Sequence, residues 1–84
     1  MNRLKSKGSI DNKKMEIIKI RDDFIKLGQA LKLAGLVDSG VDAKIEIQEG
    51  LVKVNGEVEV QRGKKIHPGD IIEFNGQQIK VENE

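Results

Sequence analysis

Three groups of residues are spaced so that they could hold a phosphate. Lys26, Gln29 and Lys32 recur every third position, which lays them along one exposed stripe of a helix. Ser39 and Gly40, with Lys44 a turn further on, read as the start of a second helix, where free N–H groups and the positive end of the dipole favour an anion. Lys53 and the run Arg62, Lys64, Lys65 form the third group, on and just past a hairpin. Taken singly, each group is also what a solvated surface looks like, because charged side chains must face water. Taken together they suit a nucleic-acid backbone, held by replacing its counterions.

Catalysis has fewer parts to draw on. His67 is the only histidine and there is no cysteine, so a nucleophilic dyad or a common zinc site lacks members. Asp22-Asp23 and the pair Glu57 and Glu59 are explained by a helix end and a strand face, and the glycines do not fall into a phosphate-loop spacing. A chain of 84 residues has room for one small core, too little to wall in a deep cleft. The expectation is a protein without catalytic residues, metal or cofactor. No cysteine means no disulfide framework, and no apolar run approaches membrane-spanning length, so the expected setting is the cytoplasm, away from membranes.

The net charge of +1 hides an asymmetry. Residues 1–14 carry five cations against one anion, whereas the remainder is mildly acidic. Nucleic-acid binding therefore has to rest on where the charges sit rather than on their sum. The first segment is poor in large apolar residues and rich in Lys, Ser, Asn and Gly, which predicts disorder. Met15 opens "MEIIKI", which looks like an ordinary protein start, so residues 1–14 read as a basic arm or a dispensable leader and 15–84 as the single domain.

The elements that must position the cations follow from periodicity and punctuation. Ile17, Ile18 and Ile20 make Met15 to Ile20 a strand. Asp22-Asp23 offers a helix start, and Phe24, Leu27, Leu31 and Ala34, with Ala30 beside them, keep helical spacing until Gly35. In "DSGVDAKIEIQEG" the apolar alternation argues for a strand. Ser39 with Asp42 three residues later, and Gly50 at the far end, argue for a capped helix over 41–49. "LVKVNGEVEV" is a hairpin closed by Asn55-Gly56. Pro68-Gly69-Asp70 is a turn, Ile71, Ile72 and Phe74 a strand, Asn75-Gly76 another turn, and Ile79 to Val81 a last strand. The fold class is α+β, two helices packed on a small twisted antiparallel sheet. Phe24 and Phe74, the only aromatics, both fit core positions, which leaves no platform for stacking single-stranded bases and points to a folded RNA read by backbone and shape.

From Lys26 to Phe74 the chain resembles the S-four RNA-binding domain, named after a small-subunit ribosomal protein. The resemblance rests on Leu27, Leu31, Gly35-Leu36, Ser39, Ala43, Ile47, Gly50, Val52, Val54, Asn55-Gly56 and Pro68-Gly69-Asp70, in that order and spacing. It is most similar to the small stand-alone bacterial members. The resemblance implies the two-helix αL-type RNA-binding motif against a small sheet, with cations on the helix pair touching RNA backbone, and it favours helix for 41–49. It places Lys26 where the family usually has Arg and keeps Ser39. Gly28 stands where the common pattern has Asp, and Gly40 where it has Arg, a lost phosphate contact for which Lys44, Arg62, Lys64 and Lys65 compensate. The partner it implies is structured RNA of the ribosomal or transfer class, with the ribosome or an RNA-processing protein beside it. Two rivals share the fold: a protein-interaction module, and an accessory to a separate RNA-processing enzyme.

Overall fold

Alternation and turn chemistry account for most of the sheet. In the computed structural model, which describes residues 15–84, β1 is Met15–Ile20, β2 Ile25–Lys26, β3 Val52–Val54, β4 Glu57–Val58, β5 Lys65–Ile66, β6 Ile71–Phe74 and β7 Gln77–Asn83. The helices are α1, Leu27–Leu33, and α2, Gly40–Gln48. The reading of residues 1–14 as a disordered basic arm lies outside the described residues. Asn55 and Gly56 join β3 to β4 with φ of 53° and 87°, the left-handed pair that a two-residue hairpin turn needs. Asn75 and Gly76 do the same between β6 and β7, at 56° and 80°.

Five strands form one sheet in the order β1-β7-β6-β3-β4, and β2 and β5 form a separate short ladder. Three of the sheet's four strand pairings are antiparallel; β1 is added at the edge parallel to β7, with Ile18 opposite Val81. The sheet is therefore mixed where an antiparallel one was expected. Alternating isoleucines specify that β1 has one buried face, and Ile18 and Ile20 are indeed buried, but they carry no information about strand direction.

The helix pair covers one face of this sheet. Leu27, Ala30 and Leu31 from α1, Ala43 and Ile47 from α2, and Val52, Val54, Ile66, Ile72, Phe74, Ile79 and Val81 from the strands form a single apolar core. Each large side chain among them contributes roughly 1.5–3 kcal/mol relative to exposure. In α2, Ser39 Oγ accepts a hydrogen bond from the Asp42 N–H at 3.2 Å, and Gly50 leaves the helix at φ 78°. The alternating residues of 41–47 consequently divide, with Ala43 and Ile47 buried and Val41 and Ile45 exposed.

Two expectations around α1 are corrected. The helix does not start at Asp22-Asp23, which lie in a bend, and Phe24 lies before it, partly exposed and outside the core that it was expected to join. The reason is a cap supplied from far along the chain. Lys26 caps α1 with no side-chain hydrogen bond; instead the Leu27 N–H donates to the Lys64 carbonyl at 2.9 Å and the Gly28 N–H to the Arg62 carbonyl at 3.1 Å. Those carbonyls satisfy two of the N–H groups a helix leaves free, so no carboxylate is needed there. The β2–β5 ladder, with Ile25 opposite Ile66 and Lys26 opposite Lys65, holds the two segments in place.

Candidate nucleic-acid interface

The backbone bonds that cap α1 also fix the basic loop after the hairpin against the helix pair. A cleft of about 290 Å³ results, lined by Lys26, Gly28, Gln29 and Lys32 of α1 and its cap, Arg62 and Gly63 of the loop, and Gly40 at the start of α2. The close approach depends on Gly28. A Cβ at that position would lie 2.6 Å from Arg62 Cγ and 3.2 Å from Cδ, so the arginine stem crosses the helix where a side chain would otherwise stand. Gly28 is the position at which the resemblance implies Asp, and its lack of a side chain leaves room for the Arg62 stem. At Gly40 a Cβ would meet nothing within 4 Å, leaving the rim open.

Cations gathered without anions repel one another and favour an anionic ligand. Among the described residues the ion pairs are Arg21 with Glu84 at 2.9 Å, His67 with Asp70 at 3.8 Å and Lys80 with Glu82 at 3.8 Å. Lys26, Lys32 and Arg62 belong to none of them, all three are exposed, and no carboxylate lines the cleft. The three cleft cations thus have no ion-pair partner within the described residues.

The other expected site residues are placed unevenly. Lys44 is exposed one turn along α2 from Gly40, on the same face as the cleft rim. Ser39 serves the α2 cap described above. Lys65 is opposite Lys26 in the β2–β5 ladder, with its Nζ 4.8 Å from the centroid of the Phe24 ring. Lys64 lines a different hollow, against the hairpin with Asn55, Glu57 and Glu59. Lys53 lies between the buried Val52 and Val54, so it projects from the sheet face opposite the helices, where Glu73 is its cross-strand neighbour. The cleft thus brings together Lys26, Gln29, Lys32 and Arg62, with Lys44 flanking, and leaves Lys53 and Lys64 elsewhere. Gly28 and Gly63 are added to the lining; their only trace in the sequence is the absence of a side chain.

The Asn55-Gly56 turn and the Pro68-Gly69-Asp70 turn are locked together. Asn55 Nδ2 donates to Asp70 Oδ1 at 3.1 Å, Asn55 Oδ1 accepts from the Ile71 N–H at 3.0 Å, and Asp70 Oδ2 accepts from the His67 N–H at 2.7 Å. Burial pushes the Asp70 carboxyl up. The hydrogen bonds from His67 and Asn55, helped by the charges of His67 and Lys64, outweigh that and hold it below its ordinary range. His67 is consumed by this turn, and its ring stands 6.2 Å from that of Phe24.

Comparison with known proteins matches residues 18–82 to the S4 domain. A Bacillus subtilis protein named "Probable ribosome maturation protein RlbA" is 44% identical over 59 residues, covering 70% of this chain and 83% of its own length. An Escherichia coli protein named "Putative RNA-binding protein YbcJ" is 44% identical over 57 residues, covering 68% and 81%. The span 18–82 includes the cleft, the locked turns and the second half of β1.

Proposed function

Since this chain belongs to the S4 domain family, we propose that it is a non-catalytic RNA-binding protein that grips structured RNA of the ribosomal or transfer class by its phosphates, in the cytoplasm. The observation that carries this reading is the cleft, where Lys26 and Lys32 from one segment and Arg62 from another converge without a carboxylate among the lining residues. The names of the two relatives, one for ribosome maturation and one for RNA binding, point the same way. The mechanism is electrostatic. Cations in the cleft take the place of counterions along the backbone, so affinity falls steeply as salt rises, with a slope of about 0.9 per phosphate contacted. Gln29 adds a neutral amide that can donate to a phosphate or sugar oxygen. The ribosome, or an RNA-processing enzyme that uses this protein as an accessory, is the partner that such a domain would serve.

The test is an amide-resolved NMR titration of the full chain with a structured ribosomal RNA hairpin at two salt concentrations. Salt-sensitive shifts are expected at Lys26, Lys32, Gly40, Lys44, Arg62 and Gly63. Shifts confined to residues 1–14 would assign binding to the basic segment and overturn the cleft. A second reading, docking of a protein, is favoured by the exposed Val41, Ile45, Leu51 and Val58; it predicts a partner whose shifts fall on those residues and resist salt.

A further inference from the structure

Phe24 is an aromatic side chain left outside the core. It occupies the bend between β1 and β2, partly exposed and outside the core, against a hollow of about 630 Å³ that it lines with Arg21, Asp22, Asp23, Ile25 and Lys26. That volume falls within the range of small-ligand sites. Lys26 and Gln29 line both this hollow and the cationic cleft, so the two adjoin along one side of α1. A backbone lying in the cleft would therefore bring a nucleotide to the ring.

The chemistry of the hollow differs from that of the cleft. A phenyl ring offers a flat face that any nucleobase can stack on, and such stacking does not depend on phosphate charge. Lys65 Nζ stands over the ring, 4.8 Å from its centroid, and Lys26, which lines the hollow, is placed to take the phosphate of a nucleotide seated there. Asp22 and Asp23 would repel a phosphate, but a carboxylate accepts two parallel hydrogen bonds from adjacent N–H groups. Guanine presents such a pair on its Watson–Crick edge, whereas uracil presents one N–H between two carbonyls.

We propose that the hollow around Phe24 holds one unpaired base of the RNA whose backbone occupies the cleft, stacked on the phenyl ring, with guanine favoured by the Asp22 and Asp23 carboxylates. This rests on the RNA-binding reading and deepens it: the target is a paired stem with an unstacked base beside it, where the phosphate cleft alone would accept any stem.

The chain contains no Trp or Tyr, so F24W in the full chain supplies a single fluorophore at the site. The probes are an RNA hairpin with one bulged guanine, the same hairpin with a bulged uracil, and the same stem fully paired. Wild type is expected to bind the bulged-guanine hairpin about tenfold more tightly than the paired stem, with uracil between them. F24W fluorescence should be quenched by the bulged hairpins and not by the paired stem. F24L, which keeps apolar bulk without a ring, should erase the preference and leave affinity for the paired stem unchanged. A preference that survives F24L, an F24W signal unmoved by bound bulged RNA, or equal loss of both RNAs in F24L overturns the proposal while the cleft reading stands. Salt-insensitive or absent binding of all three RNAs by wild type overturns the cleft reading and the base site with it.

Discussion

Two polar clusters of this small domain, the turns and the cleft, use their side chains in opposite ways. At the turns, Asn55 and Asp70 meet each other and the backbone of Ile71 and His67 at 2.7–3.1 Å, so both Asp70 oxygens and both polar ends of the Asn55 amide have an internal partner. At the cleft, Lys26, Lys32 and Arg62 have no ion pair among the described residues, and the bonds that shape the site are made by backbone, from Leu27 and Gly28 to the carbonyls of Lys64 and Arg62. The turn cluster spends its polar groups on internal hydrogen bonds. The cleft gives up some stability to mutual repulsion and keeps its charges available. Substitutions at the turns should therefore move stability without moving RNA affinity, and substitutions at the cleft the reverse.

The widest separation is expected from reversing charge at the cleft. K26E with K32E replaces two attractive phosphate contacts by repulsive ones, each worth roughly a factor of ten, so RNA affinity should fall about 100-fold near 0.1 M salt and the salt slope should drop by about 2. Thermal unfolding should hardly change, because both side chains are exposed. Unaltered affinity would remove α1 from the RNA surface. At the turns, D70A strips two hydrogen bonds from a partly buried carboxylate, at a cost of about 2 kcal/mol, which in a domain this size lowers Tm by about 10 °C. RNA affinity measured well below Tm should hold. The acid limb supplies a second check. Asp70 binds its proton less readily folded than unfolded, so its contribution is present above the ordinary carboxylate value near pH 4 and fades as pH falls through the lower folded one. D70N should flatten that part of the stability profile; an unchanged acid limb would show that the turn lock carries little.

The same contrast explains which features are legible in the sequence. Asn55-Gly56, Asn75-Gly76 and Pro68-Gly69-Asp70 declare themselves because turn chemistry is local, and Ser39, Asp42 and Gly50 identify α2 because caps at its two ends outweigh an apolar alternation that favoured a strand. The start of α1 is not legible, since its cap is the backbone of Arg62 and Lys64, and no local residue type signals a bond made across that distance. Phe24 reads as a helix core position for the same reason: once the helix start moves to Leu27, its spacing no longer means burial. The pairing of Gly28 with the Arg62 stem is likewise invisible before the two segments meet. The direction of Lys53 could be read from its buried neighbours Val52 and Val54, whereas which sheet face carries the cleft could not.

Gain of function is a smaller but more demanding test of the cleft. G40R puts a guanidinium at the rim, where a Cβ meets nothing within 4 Å. One more phosphate contact should raise affinity up to about tenfold and steepen the salt slope by about 1, with little change in Tm. A loss of affinity would mean that RNA backbone already packs against the bare Gly40 main chain, placing the ligand deeper than the cations alone require.

The smallest expected effect is the most discriminating. Lys53 belongs to the same hairpin that leads into the basic loop, and from sequence it ranks with Arg62 as a phosphate ligand. Its place opposite Glu73 on the uncovered sheet face separates the two by the thickness of the sheet. At 0.15 M salt charges are screened over about 8 Å, so a cation on that face acts weakly on a ligand held between the helices. K53A should leave RNA affinity within about twofold, keep the salt slope, and shift stability by no more than about 0.5 kcal/mol. If instead the slope drops by a full contact, the RNA must pass around the β4 edge onto the far face. The ligand would then have to be longer than one stem, because the helix-side cleft and Lys53 cannot be spanned from one side of the sheet.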